Sequence, residues 1–414
     1  MLGSGIYGLI GQAAGQVGNA VWLAFAVALI AALLTALTYA SLASRYPKAG
    51  GAAYITQRAY KLPILSFIVG LGVVCSGLSS VATQSRVFAA NLATLTGAGS
   101  VPIWVLALGF LLILAGIVFR GIRESMWVNV VCTAVEATGL LIVIGYGISH
   151  WGSVDYFATP GRPEDPATAI LIMQGAVLTF FAYIGFEDAI NVAEECRDPE
   201  RTIPIGLVAA MLLAALLYMA VAITAISVVP WQELAAAPGP LTEVMKRAAP
   251  NFPPIIFTGI TLFAVANTAL VNYVTSTRLI YGMAKQGLLP ASWGAIHPQT
   301  RTPHVATGLL LLILVPLATI GTIKDLAAAT VIILLTVFAI MNGALYILQR
   351  RTEEPPGKFE IGSAVPLFGA VICTVLVVFR IASGDFIAPA IAGGLLAGIL
   401  AIYWVMRPVV PDSD

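Results

Sequence analysis

Three observations predict an all-α integral membrane protein. Of 414 residues, 59% are hydrophobic and only 10% charged, against about 25% charged in soluble domains. The apolar residues gather in runs of roughly twenty, the length a helix needs to span a bilayer. Lysine and arginine fall mostly in alternate loops between those runs.

The runs predict spans at 1–15, 19–44, 62–93, 101–119 and 125–148, then at 168–195, 204–229, 253–284, 303–321 and 327–348, with two more at 363–382 and 386–406. This gives twelve. The loops around 45–61, 120–123, 197–201, 285–301 and 350–358 hold most of the cations, whereas the intervening loops hold Arg162, Lys246, Arg247 and Lys324. The positive-inside rule places the first set, and both termini, in the cytoplasm. The loops at 149–167 and 230–252 are rich in proline, glycine and acids and read as short surface helices. "QRRTEEPPGKFE" (349–360) is a solvated linker that sets off the last two spans.

The four cysteines (Cys75, Cys132, Cys196, Cys373) are widely separated, which gives neither a disulfide framework nor a metal-ligand spacing. A net charge of +1 points to no nucleic-acid partner. No cofactor motif occurs. The three histidines (His150, His297, His304) fall at span ends without a catalytic spacing, so a membrane-embedded enzyme is disfavoured. No filter-forming repeat supports a channel.

Glycines interrupt two spans in corresponding positions. "GSGIYG" (3–8) lies in the first and "YIGFE" (183–187) in the sixth. Unwound backbone is tolerated in a bilayer only where it is buried in protein or lines a cavity, and paired interruptions of this kind mark transporter sites. Glycine also marks simple close packing of helices. The sixth span could equally end at Phe186, with Glu187 and Asp188 opening a loop. The bare pattern leaves both readings open. An acid at the centre of a span costs about 2.5–3.5 kcal/mol, so Glu187 needs a reason if the helix continues.

"FFAYIGFEDAINVAEECRDPERTIPIG" (180–206) resembles the sixth-span signature of the amino acid–polyamine–organocation superfamily of permeases. "GSGIYGLIG" (3–11), "ASRYPKAGGAAY" (43–54) and "TRLIYGMAKQGLLP" (277–290) resemble other family segments, in the family's order. The resemblance implies a LeuT-type fold: one five-helix repeat over 1–148, an inverted second repeat over 168–350, discontinuous first and sixth helices, and two appended helices over 361–407. It also sets "MLGSGIY" in the middle of the family's first span, so half of that span, with its cation ligands and inner gate, is expected to be missing here.

The implied function is secondary active transport of an amino acid across the cell membrane. The amides of Ser4, Gly5 and Ile6 would bind the substrate carboxylate, and the carbonyls of Phe181, Ala182 and Ile184 its ammonium group. Phe181 would act as an aromatic gate, Phe186 would line the side-chain pocket, and Ser76 and Asn267 are further candidates for its wall. Glu187 would begin the inner half-helix, with its carboxylate facing exposed amides. Asp188, Glu194 and Glu195 are expected to pair with Arg197 and Arg201. An apolar, aromatic pocket favours a neutral amino acid; cationic amino acids or polyamine exchange are the alternative.

Glu136 departs from the family. Some proton-coupled relatives carry a lysine at this position in the fifth span. A mid-membrane carboxylate makes Glu136, with Glu187, a candidate coupling site for a proton, with sodium as the other ion to weigh. A purely structural Glu136, held by hydroxyls or by a distant Arg86, is the competing reading. Arg86, in the third span, reads as a snorkelling side chain or an attractor of anionic groups. Asn272 and Asn342 read as interhelical hydrogen-bonding groups or as pathway lining.

Overall fold

Inside a bilayer every backbone polar group needs a partner from the chain, and the α-helix supplies one for each interior residue. The apolar runs accordingly fold as helices. The computed structural model describes residues 4–46, 51–97, 100–120, 125–160, 166–190, 196–319, 322–354, 356–382 and 386–406. Its helices are α1 (Ser4–Tyr7), α2 (Ile10–Val17), α3 (Val21–Arg45), α4 (Gly51–Tyr60), α5 (Pro63–Thr96), α6 (Ile103–Arg120), α7 (Ser125–Gly147) and α8 (Pro166–Phe180). They continue with α9 (Pro199–Val228), α10 (Trp231–Ala236), α11 (Pro240–Ala248), α12 (Pro254–Lys285), α13 (His304–Thr319), α14 (Ile323–Leu348), α15 (Ala364–Ala382) and α16 (Ile387–Met406). No strand occurs among the described residues.

Local chemistry sets many of the ends. Proline opens α5, α9, α11 and α12, where its missing N–H costs nothing. Thr322 and Asp325 form a reciprocal capping box at the start of α14. Gly97, at φ +68°, stops α5 in the left-handed region.

Ten helices among the described residues are long and apolar enough to cross a membrane, against twelve expected spans. The difference has two sources. Ile10–Arg45 counts as one apolar stretch, although Gly18 (φ +71°) and a short 3₁₀ turn divide α2 from α3. α13 has 16 residues, about 24 Å at 1.5 Å per residue, short of a hydrocarbon core of about 30 Å.

The packing follows a regular rule. The first span touches the sixth (α2 on α8), the second the seventh (α3 on α9), the third the eighth (α5 on α12), and the fourth the ninth (α6 on α13). α14 lies against both α3 and α5 and joins the two halves of the core. Large apolar side chains such as Leu112, Leu213, Leu312 and Val378 remain exposed on the outward faces, where lipid would cover them.

Polar groups inside the bundle are tied between helices. Asn342 accepts from the Thr38 hydroxyl (2.6 Å) and donates to Thr35 Oγ1 and the Phe338 carbonyl. Asn272 donates to Ser80 Oγ (2.9 Å), joining α12 to α5. Arg86 Nη1 donates to the Ala318 carbonyl (2.7 Å) in the last turn of α13, where carbonyls lack intrahelical partners.

The 349–361 linker is a strap rather than a free loop. Glu360 accepts two hydrogen bonds from Arg45 (2.6 and 2.9 Å) at the end of α3. Glu354 accepts from Arg58 of α4 and from the Tyr46 hydroxyl (2.8 Å). Arg351 donates to the carbonyls of Arg58 and Ala59, and Lys358 pairs with Glu200 (2.9 Å) at the start of α9. Burial pushes the Glu354 carboxyl upward, but the Tyr46 and Arg58 hydrogen bonds outweigh it and leave the group below its ordinary value. Glu360 behaves alike, with Arg45 and the Gly357 amide outweighing burial.

A depressed folded-state value means stability that is present above the unfolded glutamate range, about 4.3, and lost as pH falls through the folded values. Glu354→Gln is expected to cost about 1–3 kcal/mol at pH 7. Melting curves of the purified protein between pH 7 and pH 3 should show that difference from wild type shrinking toward the acid end.

Candidate substrate site at the two helix breaks

The sixth span breaks where the glycine predicts. α8 ends at Phe180, and Phe181–Tyr183 form one 3₁₀ turn. Ile184 is extended (φ −61°, ψ 146°) and Gly185 takes φ +115°, a conformation that side chains resist. Partly buried chain continues through Phe186 and Glu187 to Ile190. Residues 191–195, with Glu194 and Glu195, lie outside the described residues.

The first span is interrupted too. α1 covers only Ser4–Tyr7, and Gly8 and Leu9 form a turn before α2. Ser4, Gly5 and Ile6 lie in this short described helix, and residues 1–3 lie outside the described residues. The turn lies at Gly8 and Leu9 rather than at Gly3-Ser4-Gly5: Ser4 and Gly5 are helical, and Gly3 lies outside the described residues.

The two interruptions meet. Gly5 presses on Ala182: a methyl group built on Gly5 would stand 2.8 Å from the Ala182 Cβ and 2.9 Å from its amide nitrogen. No side chain fits between those backbones.

The carbonyls expected to be free are partly engaged. Ala182 O accepts the Tyr218 hydroxyl (3.0 Å), and Phe181 O accepts the Ile184 amide (3.4 Å). Each carbonyl has two lone pairs, so one remains for a ligand. Tyr183 turns toward α3 and donates to the Phe25 carbonyl (3.2 Å).

Glu187 is 8% exposed, and its Oε2 accepts the Gly185 amide (2.8 Å). The amide it caps therefore precedes it, within the break, instead of following it in a half-helix. A bent backbone exposes Gly185 N–H, and the carboxylate folds back to satisfy it. Phe181 and Phe186 are buried. Phe186 packs against Phe338 (ring centroids 5.1 Å apart) and edge-on to Tyr39 (5.7 Å).

Glu136 joins this assembly from α7. Asn267 of α12 donates to its Oε1 (3.1 Å), and Tyr7 of α1 donates to its backbone carbonyl (2.6 Å). The carboxylate is 2% exposed. Tyr7, next to the Gly8–Leu9 turn, thus ties that turn to the backbone of the coupling candidate. Ser76 is buried on α5, a helix that also touches α1.

Sequence reasoning did not single out Tyr7, Tyr39 or Tyr218. The available signal was chemical: a tyrosine buried in a spanning helix needs a partner for its hydroxyl. His297 and His304 do approach each other, with rings 5.5 Å apart. No group of three metal-ligating side chains forms among the described residues.

A profile of the family described as "Amino acid permease" matches residues 1–406. The chain belongs to the amino acid permease family. Among the similar members is the branched-chain amino acid permease BcaP of Bacillus subtilis, 25% identical over 91% of this chain and 84% of its own length. Cationic amino acid transporter 9, chloroplastic, of Arabidopsis thaliana is 29% identical over 72% of this permease, which spans 55% of that longer relative. The methylthioribose transporter of B. subtilis is 28% identical over 90% of this chain and 84% of its own. These three names cover different solutes, so membership alone does not select one for this permease.

Replacing Gly5 tests the contact between the breaks. Gly5→Ala is expected to destabilise the purified protein by about 1–3 kcal/mol through overpacking. Gly116→Ala, whose Cβ would meet nothing within 4 Å, should stay within about 0.5 kcal/mol. Thermal melting of the two variants side by side checks the pair.

Proposed function

We propose that this permease moves an amino acid across the cell membrane by secondary active transport, with the substrate held beside the Gly5–Ala182 contact. That contact carries the reading. On this reading the amides of Ser4, Gly5 and Ile6 serve as donors for the substrate carboxylate, and the carbonyls of Phe181, Ala182 and Ile184 as acceptors for its ammonium group. A zwitterion satisfies both sets at once. The pairing of each of the first four spans with the one five later supports a five-plus-five repeat, the architecture in which one half moves against the other around a central site.

The cavity beside Glu187 is about 10 Å³, near the volume needed for a single water. An amino acid therefore requires the surrounding helices to part, and alternating access is the motion proposed. Phe181, Ile184 and Phe186 give the wall an apolar, aromatic character that suits a neutral amino acid. The cationic alternative draws on the buried Glu187 and on the similarity to a transporter named for cationic amino acids.

Glu136 is the proposed proton-coupling residue. It is buried, it is bonded to Asn267, and its backbone is bonded to the residue two positions beyond Gly5. Protonation there would change the hydrogen bonding of a helix that also contacts the substrate region.

Uptake of radiolabelled leucine and arginine into proteoliposomes, under imposed proton and sodium gradients, tests the assignment. The expected outcome is saturable leucine uptake driven by an inward proton gradient. Glu136→Gln should reduce gradient-driven uptake by at least about tenfold while leaving leucine counterflow in place. Wild-type uptake by that variant would refute the coupling role, and absence of uptake for both solutes would refute the transport assignment for them.

A further inference from the structure

Tyr39 lies in α3 with its side chain fully enclosed, and its hydroxyl has no hydrogen-bond partner among the described residues. Buried phenols almost always find one. The ring has little freedom to search, because it stands edge-on to both Phe186 (5.7 Å, 88°) and Phe338 (5.6 Å, 79°). It also borders the cavity of about 10 Å³ that Glu187, Ala52, Ala53, Gly70 and Val73 help to line.

That volume matches one water and excludes any amino acid. The polar groups around it are few. Glu187 uses Oε2 on the Gly185 amide, and a carboxylate has about four acceptor sites, so capacity remains. The Ala52 carbonyl already accepts the Thr56 hydroxyl (2.7 Å), and the Ala53 carbonyl accepts Ser66. A metal cation would need more oxygens than one carboxylate and one phenol supply. A water needs two to four partners, and the Tyr39 hydroxyl and the Glu187 carboxylate, which both line the cavity, can provide them.

We propose that this cavity is a site for one structural water, which accepts the Tyr39 hydroxyl proton in a hydrogen bond and donates to the Glu187 carboxylate. Tyr39 is then a positioning residue. Through the water α3 fixes Glu187, and through Glu187 it fixes the Gly185 amide and the geometry of the break. The transport consequence rests on the reading given under Proposed function; the water itself does not.

Two measurements on the full chain separate these. A high-resolution crystal structure should show ordered density within hydrogen-bond distance of both Tyr39 Oη and Glu187, lost in Tyr39→Phe. A direct Tyr39–Glu187 bond, or density that persists in the variant, overturns the site. In proteoliposomes Tyr39→Phe should lower the maximal rate of leucine or arginine uptake about tenfold and leave KM within about twofold, since the water touches the carboxylate and not the substrate. Ala52→Val keeps the phenol, fills the cavity, and should give the same loss; it decides the matter where Tyr39→Phe does not fold. A wild-type maximal rate in either folded variant overturns the positioning role. If wild type moves neither solute, the transport reading fails and the crystallographic arm still decides the site.

Discussion

The contact between Gly5 and Ala182 constrains the rest of the bundle. Interrupting a spanning helix frees backbone donors and acceptors, and lipid offers them nothing. Both interruptions must be enclosed by protein. Placing them against each other satisfies that demand in one location and needs glycine on at least one side, because a Cβ at Gly5 would collide with backbone. A neighbouring helix supplies the Tyr218 hydroxyl to the Ala182 carbonyl, and the break segment itself supplies the rest: Glu187 to the Gly185 amide, and Tyr183 to the Phe25 carbonyl of α3.

Enclosure explains why polar groups collect where the composition is most apolar. Asn267 is on Glu136, Asn272 on Ser80, and Asn342 on Thr35 and Thr38. Each bond links two helices that meet in the core, so each costly polar side chain is offset by a specific interhelical contact. The region next to the breaks is also dense with aromatic rings, with Phe338 touching Phe180, Phe186 and Tyr39. The cavity among these rings is only about 10 Å³, the space of one water.

The strap formed by 349–361 bears on that separation. It grips the end of α3, the body of α4 and the start of α9 through Glu360, Glu354, Arg351 and Lys358. Composition marked this segment only as a solvated linker. Charge alone does not reveal partners that lie some 150 to 315 positions away along the chain, and the same residues would read identically in a free loop.

The sequence by itself determined the membrane class and the run of helices, and it marked a break at Gly185 as one of two open readings of the sixth span and Glu136 as a buried acid. These follow from local chemistry: apolar run length, glycine conformational freedom, and the cost of a buried charge. The tertiary structure alone decided that the breaks touch, that Glu187 folds back onto Gly185, that Arg86 caps α13, and that two expected carbonyls already have partners. The reason is that these outcomes depend on which distant backbone occupies the space beside a residue, and no periodicity or spacing along one chain encodes that distance.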